Sequence, residues 1–293
     1  MKTKIKLQKA LACAAALLVF AAAMFISGAL GKRKSAEAAE QASAQLREGI
    51  CVPVIMYHSI YPETEGSRYI VTPSQLESDL SYLKRNGFTA IFCDDIISYR
   101  NGEKKLPDKP VLLTFDDGCY NFLTYALPLL EKYHMRCTLS VVGRFVEAAD
   151  EGTDPDPKYS YLSTNDLKEV LASERVELAN HSFDMHSLDE RQGASQMASE
   201  SYKEYRRAIF NDVFKAQRMF RENLGVRPGV YTYPYGLTCA SGKMLLEMCG
   251  FELLLGCEEK LNYITQGEEL LTLGRFNREP DIPTEDFMKR IEP

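Results

Sequence analysis

Val111-Leu112-Leu113-Thr114-Phe115-Asp116-Asp117-Gly118 is an apolar run that ends in two adjacent carboxylates and a glycine. Its β-prone residues read as a buried strand, and the glycine lets the chain turn sharply where the two aspartates emerge. Asp-Asp-Gly is also ordinary turn chemistry. Two like charges side by side at a strand end are nonetheless costly unless a cation or a proton is shared there. The pair therefore points to a metal or to acid/base work.

The same grammar repeats on both sides of this stretch. Strands are predicted over 52–57, 89–92, 111–115, 137–142, 176–179, 230–233 and 252–255. Helices are predicted over 74–85, 95–99, 123–133, 164–172, 197–224 and 241–249. Strand-helix alternation is the signature of parallel sheets wound by right-handed crossovers, and a (β/α) barrel of seven or eight strands fits the length available. The competing architecture is an open doubly wound sheet, but no glycine-rich phosphate loop follows any strand. In a barrel, chemistry clusters at the C-terminal strand ends. His58, Asp116, Asp117, His181 and Tyr235 all follow predicted strands in this way.

The chain has four histidines. His134 reads as part of an ordinary helix end, whereas His58, His181 and His186 lie in polar segments just after apolar runs. His181 and His186 are separated by five positions, which leaves them about 140° apart on a helix and on opposite faces of a strand. They converge only in a bent loop. Two histidines and one carboxylate, with the fourth position left to water, form the ligand set of a catalytic zinc rather than a structural one. The alternative is a loop-capping His186 and a buried, hydrogen-bonded His181.

The N-terminus is a different kind of sequence. Lys2, Lys4, Lys6 and Lys9 precede an uncharged apolar run from Ala10 to Leu30, which is followed by Lys32, Arg33 and Lys34. At ~1.5 Å per residue such a helix covers roughly 30 Å, the thickness of a bilayer core. Residues 1–34 are thus expected to form a membrane-spanning anchor, with a cleaved signal segment as the alternative, and 35–48 a short stalk. The slight excess of positive charge before the span puts the N-terminus inside and residues 49–293 outside the cell membrane, or secreted if cleavage occurs. The formal net charge is −6, and residues 1–34 carry seven positive charges and no acids, which leaves −13 on the remainder. So acidic a body argues against nucleic acid as a partner. Seven cysteines follow the span without a CxxC pair and read as scattered core thiols, not as a disulfide framework.

Thr114-Phe115-Asp116-Asp117-Gly118, His181-Ser182-x-x-x-His186 and Tyr233-Pro234-Tyr235-Gly236, in this order and spacing, resemble the polysaccharide deacetylase family, the carbohydrate esterases with the nodulation-type chitooligosaccharide deacetylase domain. The resemblance covers about residues 50–280. The opening Pro53-Val54-Ile55-Met56-Tyr57-His58-Ser59 and the five-residue histidine spacing are most similar to the poly-N-acetylglucosamine de-N-acetylase branch. The resemblance implies a distorted (β/α) barrel, a divalent metal (zinc first), and hydrolysis of N-acetyl or O-acetyl groups on sugars. An outward-facing, membrane-tethered domain would meet the N-acetyl groups of cell-wall glycan or exopolysaccharide first, with xylan and chitin fragments as alternatives. By motif it implies that Asp117, His181 and His186 hold the metal and that Asp116 is the general base. A metal held there acidifies water and polarises the acetyl carbonyl. The backbone N–H of Tyr235 then steadies the oxyanion, and His58 delivers a proton to the leaving amine.

Two departures stand out. Most family members carry an arginine two residues before the motif proline, where this chain has Thr232, and Arg275 or Arg278 is either its replacement or a surface charge. The late Leu-x-x-His segment is missing, which leaves His58 as the acid. Tyr120, Phe183, Tyr233 and Tyr235 either stack on sugar rings or pack the barrel, and Cys119 either nears the metal or packs as a thiol. The chain is expected to act as a monomer. Two other function classes stay open: a non-catalytic sugar-binding protein of the same fold, and a metal-dependent amidase on a non-sugar substrate.

Overall fold

The structure, a computed structural model, describes residues 49–152, 154–267 and 269–292. The expected membrane anchor and nearly all of the stalk lie outside the described residues. Among the described residues, no helix is long and apolar enough to cross a membrane.

The centre is a curled parallel sheet. Eight strands follow one another in the order Leu271–Leu273, Leu253–Leu255, Val230–Thr232, Val176–Asn180, Cys137–Val141, Pro110–Phe115, Val54–Tyr57 and Phe276–Asn277, and each neighbouring pair is parallel. Thr89–Ile91 lies beside the first half of Pro110–Phe115. All six residues of Pro110–Phe115 are buried, as a strand covered on both faces requires. Its proline stands at the first position, where a missing N–H interrupts no ladder bond. The two outermost strands are consecutive in the chain, so one segment, 271–277, borders both edges of the sheet. Asn262 fastens that seam: its Nδ2 donates to Val52 O and Gly274 O, and its Oδ1 accepts from Gly274 N. Gly274 is needed there, since a Cβ would stand 2.4 Å from Glu258 O.

This arrangement agrees with the expected (β/α) barrel, and its differences from the predicted elements have local causes. Pro53 divides the first predicted strand: Ile50–Val52 pairs antiparallel with Asn262–Ile264, while Val54–Tyr57 joins the central sheet. The long helix begins at Tyr202, not 197, because Ser201 and Glu204 form a capping box, and a π-turn, Phe220–Leu224, follows its end at Met219. The helices Gly143–Glu151 and Thr284–Ile291 and the strands from Asn262 onward are additions to the predicted set. The seven cysteines among the described residues are free thiols.

At the end of the barrel opposite the strand C-termini, Glu177 accepts from the backbone N–H groups of Cys93 and Asp94 and from Thr138 Oγ1, capping the helix Cys93–Arg100 from a neighbouring strand. Burial, with the nearby Asp94, pushes its carboxyl up to about 7. The protonated acid is therefore the form that the fold favours. Its contribution is fully present below the unfolded value of about 4.3 and is lost as pH rises through the folded value. Glu177→Gln is expected to remove this part of the slope of urea midpoint against pH. Parallel profiles for the two proteins between about pH 4.5 and 7.5 would refute the assignment.

Candidate active site

Asp116 continues the sheet for one more bond, its N–H donating to Tyr57 O at 3.0 Å. Asp117 then adopts φ +70° and Gly118 φ +74°. This left-handed step, tolerated by Asp and natural for Gly, sends the two consecutive carboxylates to different partners.

Asp117 faces the histidines. His181 extends the Val176–Asn180 strand, its N–H donating to Val141 O. Ser182 turns at φ +71°, with Asn180 Oδ1 accepting from Ser182 N and Ser182 Oγ from Met185 N. Asp212, on the long helix, accepts from the N–H groups of Phe183 and Asp184. The bend returns His186 to His181, with ring centroids 4.9 Å apart. This is the bent loop that the five-residue spacing requires.

One ligand atom from each of Asp117, His181 and His186 lies within 4.8 Å of the others. Asp117 Oδ1 is 3.1 Å from His186 Nε2 and 3.5 Å from His181 Nε2, yet it is a buried oxygen without a well-directed hydrogen bond. Three donor atoms thus converge on one point without satisfying one another, as a cation site requires. His181 Nδ1 lies 2.8 Å from Thr232 O, an atom that only accepts, so the proton sits on Nδ1 and Nε2 is left as a ligand. Burial opposes ionisation of Asp117, and the two imidazoles outweigh it, holding the carboxyl well below the usual range. The residues fit a divalent metal.

Asp116 faces the other way. Arg275 grips it through two parallel bonds of 2.8 Å, while Arg275 Nε donates to Gly256 O and Nη1 to Thr114 Oγ1. Arg275 has no solvent exposure, and Arg278, which pairs with Asp79, is buried as well. Neither is a surface charge. Burial works against the Asp116 carboxylate, but Arg275 beside it lowers its pKa. A guanidinium thus reaches Asp116 from the segment at the sheet seam, although position 232 holds a threonine.

His58, just past the Val54–Tyr57 strand, places Nε2 4.0 Å from Asp116 Oδ2, and its ring packs on Tyr69. Its pKa is lowered by burial, against the opposing pull of Asp116 and Asp117. Tyr235 takes φ +57°, rests its ring on His186 at 4.5 Å and stays 43% exposed. The following Gly236 has no room for a Cβ, which would meet Cys257 at 2.4 Å.

Asp116, Asp117, His58, His181, His186 and Tyr235 all line one cavity of ≈ 390 Å³. In contrast, Phe183 and Tyr233 are buried, Tyr120 is half-buried against the core, and the half-buried Cys119 has its thiol pKa pushed up by burial. These are packing positions. His134 lies at a helix C-cap as expected. The cavity also holds residues that no motif marked: Arg68, Tyr69, Glu259 and Asn277. Asn277 Nδ2 donates to Arg68 O, which fixes the amide orientation and leaves a buried Oδ1 without a partner.

The polysaccharide deacetylase family model matches residues 103–254, about half of the chain. The chain belongs to the polysaccharide deacetylase family. Among curated relatives, it is 26% identical over 232 residues to the poly-β-1,6-N-acetyl-D-glucosamine N-deacetylase of Escherichia coli K12, covering 72% of this chain and 34% of that protein. With the Staphylococcus aureus MRSA252 protein of the same name it shares 26% over 197 residues, covering 67% and 64%. The chain therefore spans about a third of the first relative and under two thirds of the second. The structure of IcaB from Ammonifex degensii superposes with a TM-score of 0.69 at 25% identity, covering 84% of this chain and 98% of that one. The deacetylase PplD of Streptococcus pyogenes superposes at 0.68 with 20% identity, covering 84% and 100%, and so supports the deacetylase fold alone.

Proposed function

We propose that the chain is a metal-dependent polysaccharide N-deacetylase acting on polymers that contain N-acetylglucosamine. The observation that carries this reading is the split of the aspartate pair: Asp117 joins two histidines in a three-ligand set, while Asp116 is held apart by Arg275 across the same cavity. A separate ligand and base is what hydrolysis of an unactivated amide needs.

Asp117, His181 and His186 would hold the ion, with zinc favoured by the two-histidine, one-carboxylate set. When bound, it supplies Lewis-acid polarisation of the acetyl carbonyl and acidifies water. Asp116, kept ionised by Arg275, accepts the proton released as water attacks. Its neighbour His58 is 4.0 Å away, so the proton has a short path to Nε2 and onward to the leaving amine. The backbone N–H of Tyr235, beside His186, donates to the carbonyl oxygen as charge develops on it. The domain faces outward from the cell membrane, tethered through residues 10–30, and acts as a monomer.

The test is metal content and acetate release measured together on N-acetylglucosamine oligomers and peptidoglycan. One equivalent of divalent metal is expected, with acetate release abolished by chelator and restored by zinc. His58→Ala should keep the metal and lower kcat by about 10²–10⁴. Metal without acetate from any sugar would sink the deacetylase reading in favour of an amidase on another substrate. No metal after reconstitution would favour a non-catalytic sugar-binding protein.

A further inference from the structure

The Tyr202–Met219 helix has two unlike faces. Tyr205, Ile209, Val213 and Ala216 are buried toward the barrel. At helical spacing on the other side come Lys203, Arg207, Phe210, Phe214 and Arg218, and the stripe continues into the next turn with Arg221. Phe210 and Phe214 lie against each other at 5.8 Å, and Phe214 is 53% exposed. The helix Ala240–Met248 packs alongside and exposes Met244 (48%) and Met248 (61%), one turn apart. Of the eight large hydrophobic side chains exposed among the described residues, these two helices supply four: Tyr202, Phe214, Met244 and Met248. Two shallow grooves run along this face and share Asn211; one of them, of ≈ 590 Å³, is walled by Phe214, Lys215, Arg218, Arg221 and Arg227.

The charge here opposes that of the rest of the body. Residues 35–293 carry −13 overall, yet this face is cationic. Lys215 pairs with Glu147 and Arg221 with Glu222, and Glu204, which lines one of the grooves, interacts electrostatically with Arg207, while among the described residues no ion pair engages Lys203, Arg206, Arg218 or Arg227. A basic face alone is ordinary solvated surface. Exposed Phe set beside arginines, with two exposed Met on the adjoining helix, is a different composition, suited to a surface where apolar side chains enter an acyl boundary and guanidinium groups reach phosphates.

We propose that this face docks on an anionic lipid surface. Charge complementarity selects the headgroups, and the position of the chain selects lipid over an acidic protein. This choice rests on the membrane tether proposed above: residues 10–30 are long enough to span a bilayer, and residues 35–48, at about 3.3–3.6 Å each, allow a reach of up to roughly 50 Å. Docking would fix the orientation of the active-site mouth relative to the surface. It does not depend on the deacetylase reading.

The chain contains no tryptophan, so Phe214→Trp creates a single reporter in the full-length protein. In vesicles of phosphatidylcholine with phosphatidylglycerol, its emission is expected to shift to the blue, to be quenched by brominated lipid, and to return toward the water value at high salt. Phe214→Trp combined with Arg207→Glu, Arg218→Glu and Arg227→Glu should lose the shift while its circular dichroism stays that of the parent. A reporter at the exposed Tyr159, made as Tyr159→Trp, should stay at the water-exposed wavelength. Unshifted emission from the Phe214→Trp protein on vesicles that carry it would overturn the proposal, as would an equal shift on phosphatidylcholine alone that survives charge reversal.

Discussion

Asp116→Asn is expected to keep one equivalent of metal and lose turnover by about 10²–10⁴, whereas Asp117→Ala loses both together. The contrast follows from the left-handed step at Asp117 and Gly118, which parts two adjacent side chains. Asp117 Oδ1 is the carboxylate corner of the three-ligand cluster. Removing it leaves two histidines, too few for a closed catalytic set. Asp116 touches neither histidine of that set; it contacts Arg275 and faces His58. An amide in its place retains volume but cannot take a proton from water. It also turns one NH₂ toward the Arg275 fork, so some loss of stability accompanies it, and turnover must be normalised to the folded fraction. Metal stoichiometry by plasma spectrometry and acetate release on one preparation separate the outcomes. Retained turnover in Asp116→Asn would remove it as the base; retained metal in Asp117→Ala would remove the ligand assignment.

The motif residues were legible because each sits at the C-terminal end of a strand that can be read from composition. The apolar run 111–115 locates Asp116 and Asp117, and 176–179 locates His181. Even the bend between His181 and His186 follows from spacing, since neither helix nor strand brings the rings together. Arg275 was not legible in the same way. It comes 159 positions after the carboxylate it holds, from a segment of two- and three-residue strands with no hydrophobic period to mark it. Its burial depends on the seam, where Asn262 and a close-packed Gly274 bring that segment back to Ile50–Val52, just before the Val54–Tyr57 strand of the central sheet. Thr232 looked like a lost function, but its carbonyl orients His181 and its hydroxyl pairs with Ser140. A motif states which side chain is usual at a position, whereas the backbone atom there carries no sequence signal. Asn277 and Glu259 reached the cavity unannounced for the same reason as Arg275.

Arg275 and Arg278, three residues apart and both buried, make a pair of variants whose effects should diverge. Each is matched to one carboxylate: Arg275 to Asp116, and Arg278 to Asp79, which also accepts from Tyr57 OH and Thr284 Oγ1. Truncating one partner of a buried pair strands the other charge and costs about 3–5 kcal/mol. Arg278→Met and Arg275→Met should both lower the unfolding free energy, read from urea titration, by an amount of that order. Only Arg275→Met should alter the chemistry of the folded fraction. Arg275 lowers the pKa of Asp116 against the effect of burial, so without it Asp116 stays protonated to higher pH and, if Asp116 is the proposed base, the acid limb of the kcat profile moves upward. The same linkage acts on stability: the wild-type contribution from Asp116 is present above its unfolded value and lost as pH falls through its lowered folded one. Arg278→Met should leave the profile in place, because Asp79 joins helix Pro73–Arg85 to the end of the sheet and lies outside the cavity. If Arg275→Met kept the wild-type acid limb, Arg275 would be a structural residue only and Asp116 would owe its ionisation to the His181 and His58 side of its surroundings.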